Sequence, residues 1–238
     1  FTGGLTATTL TTAAQGYDVL FRGTGTITND VTFLNTGTLT LGDAAGDILL
    51  FDGGLDTLAN SSASVGGTVR TSGDQIDLEA VSLVGNATVD STNSGGTTAG
   101  ADINFTTTVN ADLASNNRTL TVNAGTGGVA QFTGIVGGTQ SLADLDVTGT
   151  RLDLAANMTV DAGAGGATVT FNSPVQLEGN ITIDTDGTND NNLSFLSTIS
   201  ADVAGNDRTL TVTAGGATAQ FGSTVGATAL AAFDVTAN

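Results

Sequence analysis

Ala111-Asp112-Leu113-Ala114-Ser115-Asn116-Asn117-Arg118-Thr119-Leu120-Thr121-Val122 recurs ninety residues later as Ala201-Asp202-Val203-Ala204-Gly205-Asn206-Asp207-Arg208-Thr209-Leu210-Thr211-Val212. The match continues through small deletions, pairing Ala130-Gln131-Phe132 with Ala219-Gln220-Phe221 and Asp146-Val147-Thr148 with Asp234-Val235-Thr236. Upstream the offset becomes 94: Val81-Ser82-Leu83-Val84-Gly85-Asn86-Ala87-Thr88-Val89-Asp90 matches Val175-Gln176-Leu177-Glu178-Gly179-Asn180-Ile181-Thr182-Ile183-Asp184. The chain therefore holds a duplicated unit of about ninety residues, 81–148 matching 175–236, and duplication at such a period is the mark of a repeat architecture.

A shorter period runs inside the unit. Asn157-Met158-Thr159-Val160-Asp161 resembles Asn180-Ile181-Thr182-Ile183-Asp184, and Phe171, Phe195 and Phe221 follow one another at spacings of 24 and 26. Val31-x-Phe33, Leu39-x-Leu41, Ile103-x-Phe105, Val169-x-Phe171, Val175-x-Leu177 and Ile181-x-Ile183 place apolar residues two apart, on one face of a strand. Gly, Asn, Asp, Ser and Ala fill the gaps; Gly and Asn suit turns with positive φ. No helical stripe is sustained.

Coils of 18–27 residues with about three short strands each predict an all-β, parallel (right-handed) β-helix. The array is continuous over residues 1–238, with about four coils per ninety-residue unit. Strands stack at about 4.8 Å, phenylalanines such as Phe171, Phe195 and Phe221 line the interior, and Asn157 and Asn180 form an amide ladder at a turn. The competing architecture is an antiparallel sandwich or barrel of the same short strands.

Composition agrees. The 34 glycines and single proline, Pro174, occur with recurrent Val, Ile, Leu and Thr, and mean hydropathy is +0.18, so there is apolar surface to bury. Acids outnumber bases 23 to 5, a net charge of −18. That argues against nucleic acid, whose phosphates need clustered cations, and against anionic lipid. It fits a solvated surface that repels its own copies; divalent-cation binding and tolerance of high salt are the functional alternatives. There is no cysteine, so neither disulfides nor thiolate metal sites exist. No run reaches the roughly 18 apolar residues of a membrane span. Phe1 opens the chain with no visible signal peptide, as a processed chain or an excised segment would.

The segment Arg118-Thr119-Leu120-Thr121-Val122-Asn123-Ala124-Gly125, recurring at Arg208-Thr209-Leu210-Thr211-Val212-Thr213-Ala214-Gly215, resembles the passenger regions of filamentous-haemagglutinin-like and autotransporter-type bacterial surface proteins. Ile27-Thr28-Asn29-Asp30-Val31-Thr32-Phe33 with Asn35-Thr36-Gly37-Thr38-Leu39-Thr40-Leu41-Gly42 shares their strand–turn rhythm. The resemblance implies a right-handed β-helix, export to the cell surface or medium, and attachment or filament building. The Asn-Pro-Asn signatures of that family's secretion domain have no match here.

Histidine is absent too, which excludes Ser-His-Asp, Cys-His and imidazole-ligated chemistry. Carboxylate pairs such as Asp144 with Asp146, or Asp153 beyond them, show no distinctive spacing, and the chain is read as no enzyme. The candidate metal site is Asp184, Asp186 and Asp190, whose alternating acids around Gly187 suit Ca²⁺. It departs from the EF-hand loop, with Thr188 at the fifth position and Phe195 at the twelfth, and otherwise reads as an Asx-rich turn. Arg118 and Arg208 are expected to tie loops through Asp112 and Asp202. The Thr38/Thr40, Thr119/Thr121 and Thr209/Thr211 pairs reflect β-propensity rather than an ice-binding array.

The function expected is a structural or adhesive one: a surface adhesin shaft, or a component of an extracellular filament. The alternative is a carbohydrate-active β-helix enzyme using carboxylates. Expected partners are a host or neighbouring cell surface or matrix, and further copies joined end to end, because neither Phe1 to Leu10 nor Phe233-Asp234-Val235-Thr236 reads as a cap.

Overall fold

The computed structural model describes residues 1–60, 62–161, 163 and 167–238. Among these residues every strand pair is parallel, and the only antiparallel contacts are the isolated bridges Ser72–Thr92 and Asp186–Asp190. That overturns the antiparallel sandwich. The chain is a β-solenoid of about nine turns, with about 24 residues per turn. At about 4.8 Å per turn the stack rises by about 45 Å.

The strands fall on three walls, visited always in the same order. The first wall carries Val19–Phe21, Leu39–Leu41, Val109–Ala111, Met158–Thr159, Ile181–Asp184, Thr209–Thr213 and Ala232–Thr236, with Val136 bridging its middle. The second carries Leu5–Ala7, Gly25–Ile27, Ile48–Phe51, Thr119–Asn123, Asp144–Thr148, Thr168–Phe171, Asn192–Phe195 and Ala219–Phe221. The third runs from Val31–Thr32 and Leu55–Asp56 through Ile76–Leu78, Ile103–Phe105, Val129–Phe132, Arg151–Leu154 and Val175–Leu177 to Ile199–Ala201.

Two longer strands, Ala63–Arg70 and Val81–Asp90, pass through the corner between the first and second walls without a loop. At that bend Gly67 has φ +74, and a Cβ there would lie 2.5 Å from the Asp47 carbonyl oxygen, so the turn requires glycine. Coil length varies around the expected range. Val69 to Val89 is 20 residues, while Val89 to Val122 is 33, longer than predicted because that coil carries two loops, 91–102 and 112–118.

Period-two alternation sends one set of side chains inward, and the phenylalanines head the packed interior. Phe171, Phe195 and Phe221 stack on the second wall with centroids 5.3 Å apart at each step, as their spacing predicts. Phe105 lies flat on Phe132 at 4.6 Å on the third wall. Phe21, Phe33 and Phe51 instead meet edge to face at 6.0–6.1 Å. Each fully buried ring stabilises the fold by about 1.5–3 kcal/mol through area removed from water.

The expected ladder of Asn157 on Asn180 does not form. Each amide oxygen instead accepts a backbone N–H of the following coil: Asn157 from Thr182 at 2.8 Å and Asn180 from Thr209 at 3.2 Å. A residue just before a strand faces the unpaired donor above it, and that bond wins over amide–amide contact. The buried Asn60 does reach the previous coil's amide residue, donating to the Asn35 carbonyl oxygen, while Asn35 donates to the Tyr17 carbonyl at 3.2 Å.

The duplicated unit is not a whole number of coils. From Val81 to Val175 the chain lays down eleven wall segments, three and two-thirds turns rather than four. Residues 81–83 pair on the first wall with residues 63–65 and Val109–Ala111. Their counterparts in Val175–Leu177 pair on the third wall with Arg151–Leu154 and Ile199–Ala201. The second copy is therefore displaced by one wall around the axis.

Candidate functional site

The outward residues of the third wall form a file that differs from the other two. The middle positions of successive strands are Asp56, Asp77, Asn104, Gln131, Asp153, Gln176 and Ser200, held in register by the strand ladder. Amides and carboxylates stand here where threonine prevails elsewhere, for example at Thr88 and Thr121 on the second wall. Asp77 accepts from Asn104 at 2.7 Å and, on both carboxylate oxygens, from the Gln75 amide at 2.8 and 2.9 Å. Arg151 donates to both oxygens of the buried Asp153, and Gln131 reaches Glu178 at 3.4 Å. Asp153 first, then the charges of Glu178 and Asp102, hold the Arg151 guanidinium above its ordinary pKa. The signal was present in the residue between each apolar pair of Ile76-x-Leu78, Ile103-x-Phe105 and Val175-x-Leu177.

The candidate catalytic acids do not converge. Asp144 and Asp146 share the outer face of the second wall, between Thr119/Thr121 and Thr168/Thr170, whereas Asp153 is on the third wall. Burial, then the Asp146 charge, pushes the Asp144 carboxyl up to about 6. Asp153 is spoken for by Arg151.

Asp184, Asp186 and Asp190 do come together, on the loop after Ile181–Asp184. Two of the three carboxylates are engaged with backbone: Asp184 accepts the Asp186 N–H at 3.0 Å and Asp190 accepts the Gly216 N–H at 2.8 Å. Lost hydration, then a hydrogen bond with Asp190 and its charge, holds the exposed Asp186 above the usual carboxylate range. The first copy builds the same turn without the extra acids, Asp90 accepting from the Thr92 N–H at 2.8 Å and the Ser94 N–H at 2.6 Å. What the two copies share is thus an Asx turn. Among the described residues no group of three or more His, Asp or Glu is arranged to hold a metal ion.

The arginine ties are as expected. Arg118 donates from Nε and Nη2 to the two oxygens of Asp112, both at 2.9 Å; Arg208 does so to Asp202 at 3.0 and 2.8 Å. Asn116 and Asn206 brace the same carboxylates. The Arg118 bonds bring the Asp112 pKa down to about 2, and Arg208 lowers Asp202 likewise. Each tie closes a short turn, Ala114–Asn116 or Ala204–Asn206, that ends in a left-handed residue, Asn117 or Asp207. The pairs are partly exposed, so solvent screening leaves each with little weight in stability. Because of the one-wall displacement, the two loops sit on different corners, and Thr119/Thr121 and Thr209/Thr211 lie on different walls.

All five bases are arginine, so lysine Schiff-base chemistry is absent along with that of cysteine and histidine. No family model, curated protein or solved structure matches the chain. The fold defines its class: a parallel β-solenoid.

Proposed function

We propose that the chain serves as a structural or adhesive β-solenoid, a stretch of extracellular or cell-surface shaft that holds a polar wall and its loops out to a host or neighbouring surface or matrix. The observation that carries this reading is the unbroken three-walled stack, whose interior is apolar and whose outward file runs along the third wall from Asp56 to Ser200. Arrays of this kind derive stiffness from neighbour-on-neighbour pairing. Among the described residues no helix is long and apolar enough to cross a membrane.

In its filament form this reading has copies of the chain stacked head to tail. Ala232–Thr236 pairs on one side with Thr209–Thr213, and its Phe233 and Val235 are exposed. A further parallel strand fits there, and head-to-tail pairing with other copies would extend the stack into a filament. Electron microscopy of the purified chain at rising concentration tests this form. Rods that lengthen in steps support it; rods of about 45 Å that never join sink it.

The grouping of Arg151, Asp153 and Glu178 favours one second reading, a carbohydrate-active β-helix enzyme using carboxylates. Cleavage of any polysaccharide in an unbiased panel, lost in Asp153→Asn, would replace the structural reading.

A further inference from the structure

Asn-x-Ser/Thr occurs seven times, beginning at Asn60, Asn86, Asn104, Asn117, Asn157, Asn180 and Asn192. The triplet is the acceptor pattern for N-linked carbohydrate, and only an accessible asparagine amide on a surface loop is served by it in a folded chain.

Folding sorts the seven. Asn60 is buried and donates to the Asn35 carbonyl. Asn104 donates to Asp77 at 2.7 Å within the third-wall file. Asn86, Asn157, Asn180 and Asn192 each accept a backbone N–H of the next coil, from Thr119, Thr182, Thr209 and Thr218. Drawing any of these four outward would leave a coil's N–H without its partner.

Asn117 stands apart. It is exposed, its side chain makes no hydrogen bond among the described residues, and it holds the left-handed position (φ 52, ψ 49) that ends the Ala114–Asn116 turn. The loop beneath it is braced by the Arg118–Asp112 tie, so the amide is presented on a fixed corner. Beside it runs an open groove of about 350 Å³, with Ala114 and Ser115 on the same side and Ser141, Asp161, Thr188 and Asn189 across three later coils. Hydroxyl, amide and carboxylate groups are the partners that sugar hydroxyls hydrogen-bond to. The groove is within the size range of small-ligand sites.

We infer that Asn117 is a carbohydrate-attachment site, with the first sugar lying along this groove. The linkage forms when the amide nitrogen attacks C1 of an activated sugar carried on a nucleotide or lipid phosphate. The C1–N bond forms, the C1–O bond to phosphate breaks with its electron pair leaving on the phosphate, and the nitrogen's proton passes to a base of the transferase. The second copy has the same turn but reads Asp207-Arg208-Thr209, with no amide nitrogen to offer, so one corner of the rod is modified and its repeat equivalent is not. The inference rests on the exported reading only in where the donor and transferase are met.

Intact mass and site mapping of the protein from its native source, together with fractionation of the source cells, test it. The expected result is a sugar mass on the Asn117 peptide, absent in both Asn117→Gln and Thr119→Val and retained in Asn180→Gln. An exported protein with a bare Asn117 overturns the inference and leaves the exported reading standing, as does sugar on Asn157 or Asn180 instead. Sugar at Asn117 on a protein kept inside the cell overturns the exported reading alone. A bare, internal protein overturns both.

Discussion

The two copies of the duplicated unit are close in sequence and stand on different walls. Phe105 lines the third wall, beside Phe132; its counterpart Phe195 lines the second, between Phe171 and Phe221. The loop after Asp90 turns the corner from second wall to third, whereas the matching loop after Asp184 turns the corner from first to second. The same letters thus serve in two surroundings. A strand here encodes which of its side chains point inward but not which wall it joins; the wall is set by counting strands from the start of the array. The walls tolerate exchange because each offers the same 4.8 Å ladder and the same inward apolar column.

Substituting matched residues tests how far the equivalence extends. The largest effect is expected in the core, where Phe105→Ala and Phe195→Ala each cost about 3–5 kcal/mol. Phe195 is expected to cost more, since it has ring neighbours on both sides and Phe105 on one. Denaturant unfolding of the two variants decides it, and an equal loss would mean that stacking adds nothing beyond burial.

A smaller contrast lies at Gly125 and Gly215, ninety residues apart, with φ +73 and +54. An added Cβ at Gly125 would sit 2.5 Å from the Ala99 carbonyl oxygen, which is backbone; at Gly215 it would meet the end of the Asp186 side chain. Gly125→Ala is expected to cost about 1–3 kcal/mol, and Gly215→Ala less because Asp186 swings aside. Matching melting points for the two would show that the left-handed φ alone sets the cost.

The smallest effects are in pH. Asp144 in the first copy corresponds to Ala232 in the second, so only the first copy carries a carboxyl raised to about 6 by burial and by Asp146. The native state holds that proton more tightly than the unfolded chain, so stability rises as pH falls from about 7 toward 4. Asp112, lowered to about 2 by Arg118, works the other way: its contribution is present above about 4 and is lost as pH falls toward 2. Unfolding measured from pH 2 to 8 should peak near pH 4. Asp144→Asn should flatten the upper limb and raise stability at pH 7, and Asp112→Asn should weaken the acid fall.

Much of this architecture is legible in the sequence because stacking repeats its demands. Alternating pairs such as Val175-x-Leu177 mark the inward face, and Phe171, Phe195 and Phe221 mark a column by spacing alone. The Arg118–Asp112 tie is legible because a scarce base recurs beside an acid. The number of coils per unit is not, because loops such as 91–102 lengthen a coil without adding a wall, and because Ala63–Arg70 and Val81–Asp90 turn a corner with no loop at all. Asn157 and Asn180 mislead for a local reason: sequence shows that amides recur, but not that a backbone N–H lies closer to each than the next amide. The third-wall file was written in the residues between apolar pairs, yet assigning Asp77, Asn104, Gln131 and Asp153 to one wall needs the strand count that the loops obscure.

The one-wall displacement also sets the valency of the rod. The tied loops at 112–118 and 202–208 present nearly the same shape about 18 Å apart along the axis, but a third of a turn around it. No flat surface touches both. A partner that recognises this shape must approach from two sides, so bound partners would encircle the rod and link it to neighbours rather than tile one side. An array continued in the same unit would return a loop to its starting side only after three units and eleven coils, like the thread of a coarse screw.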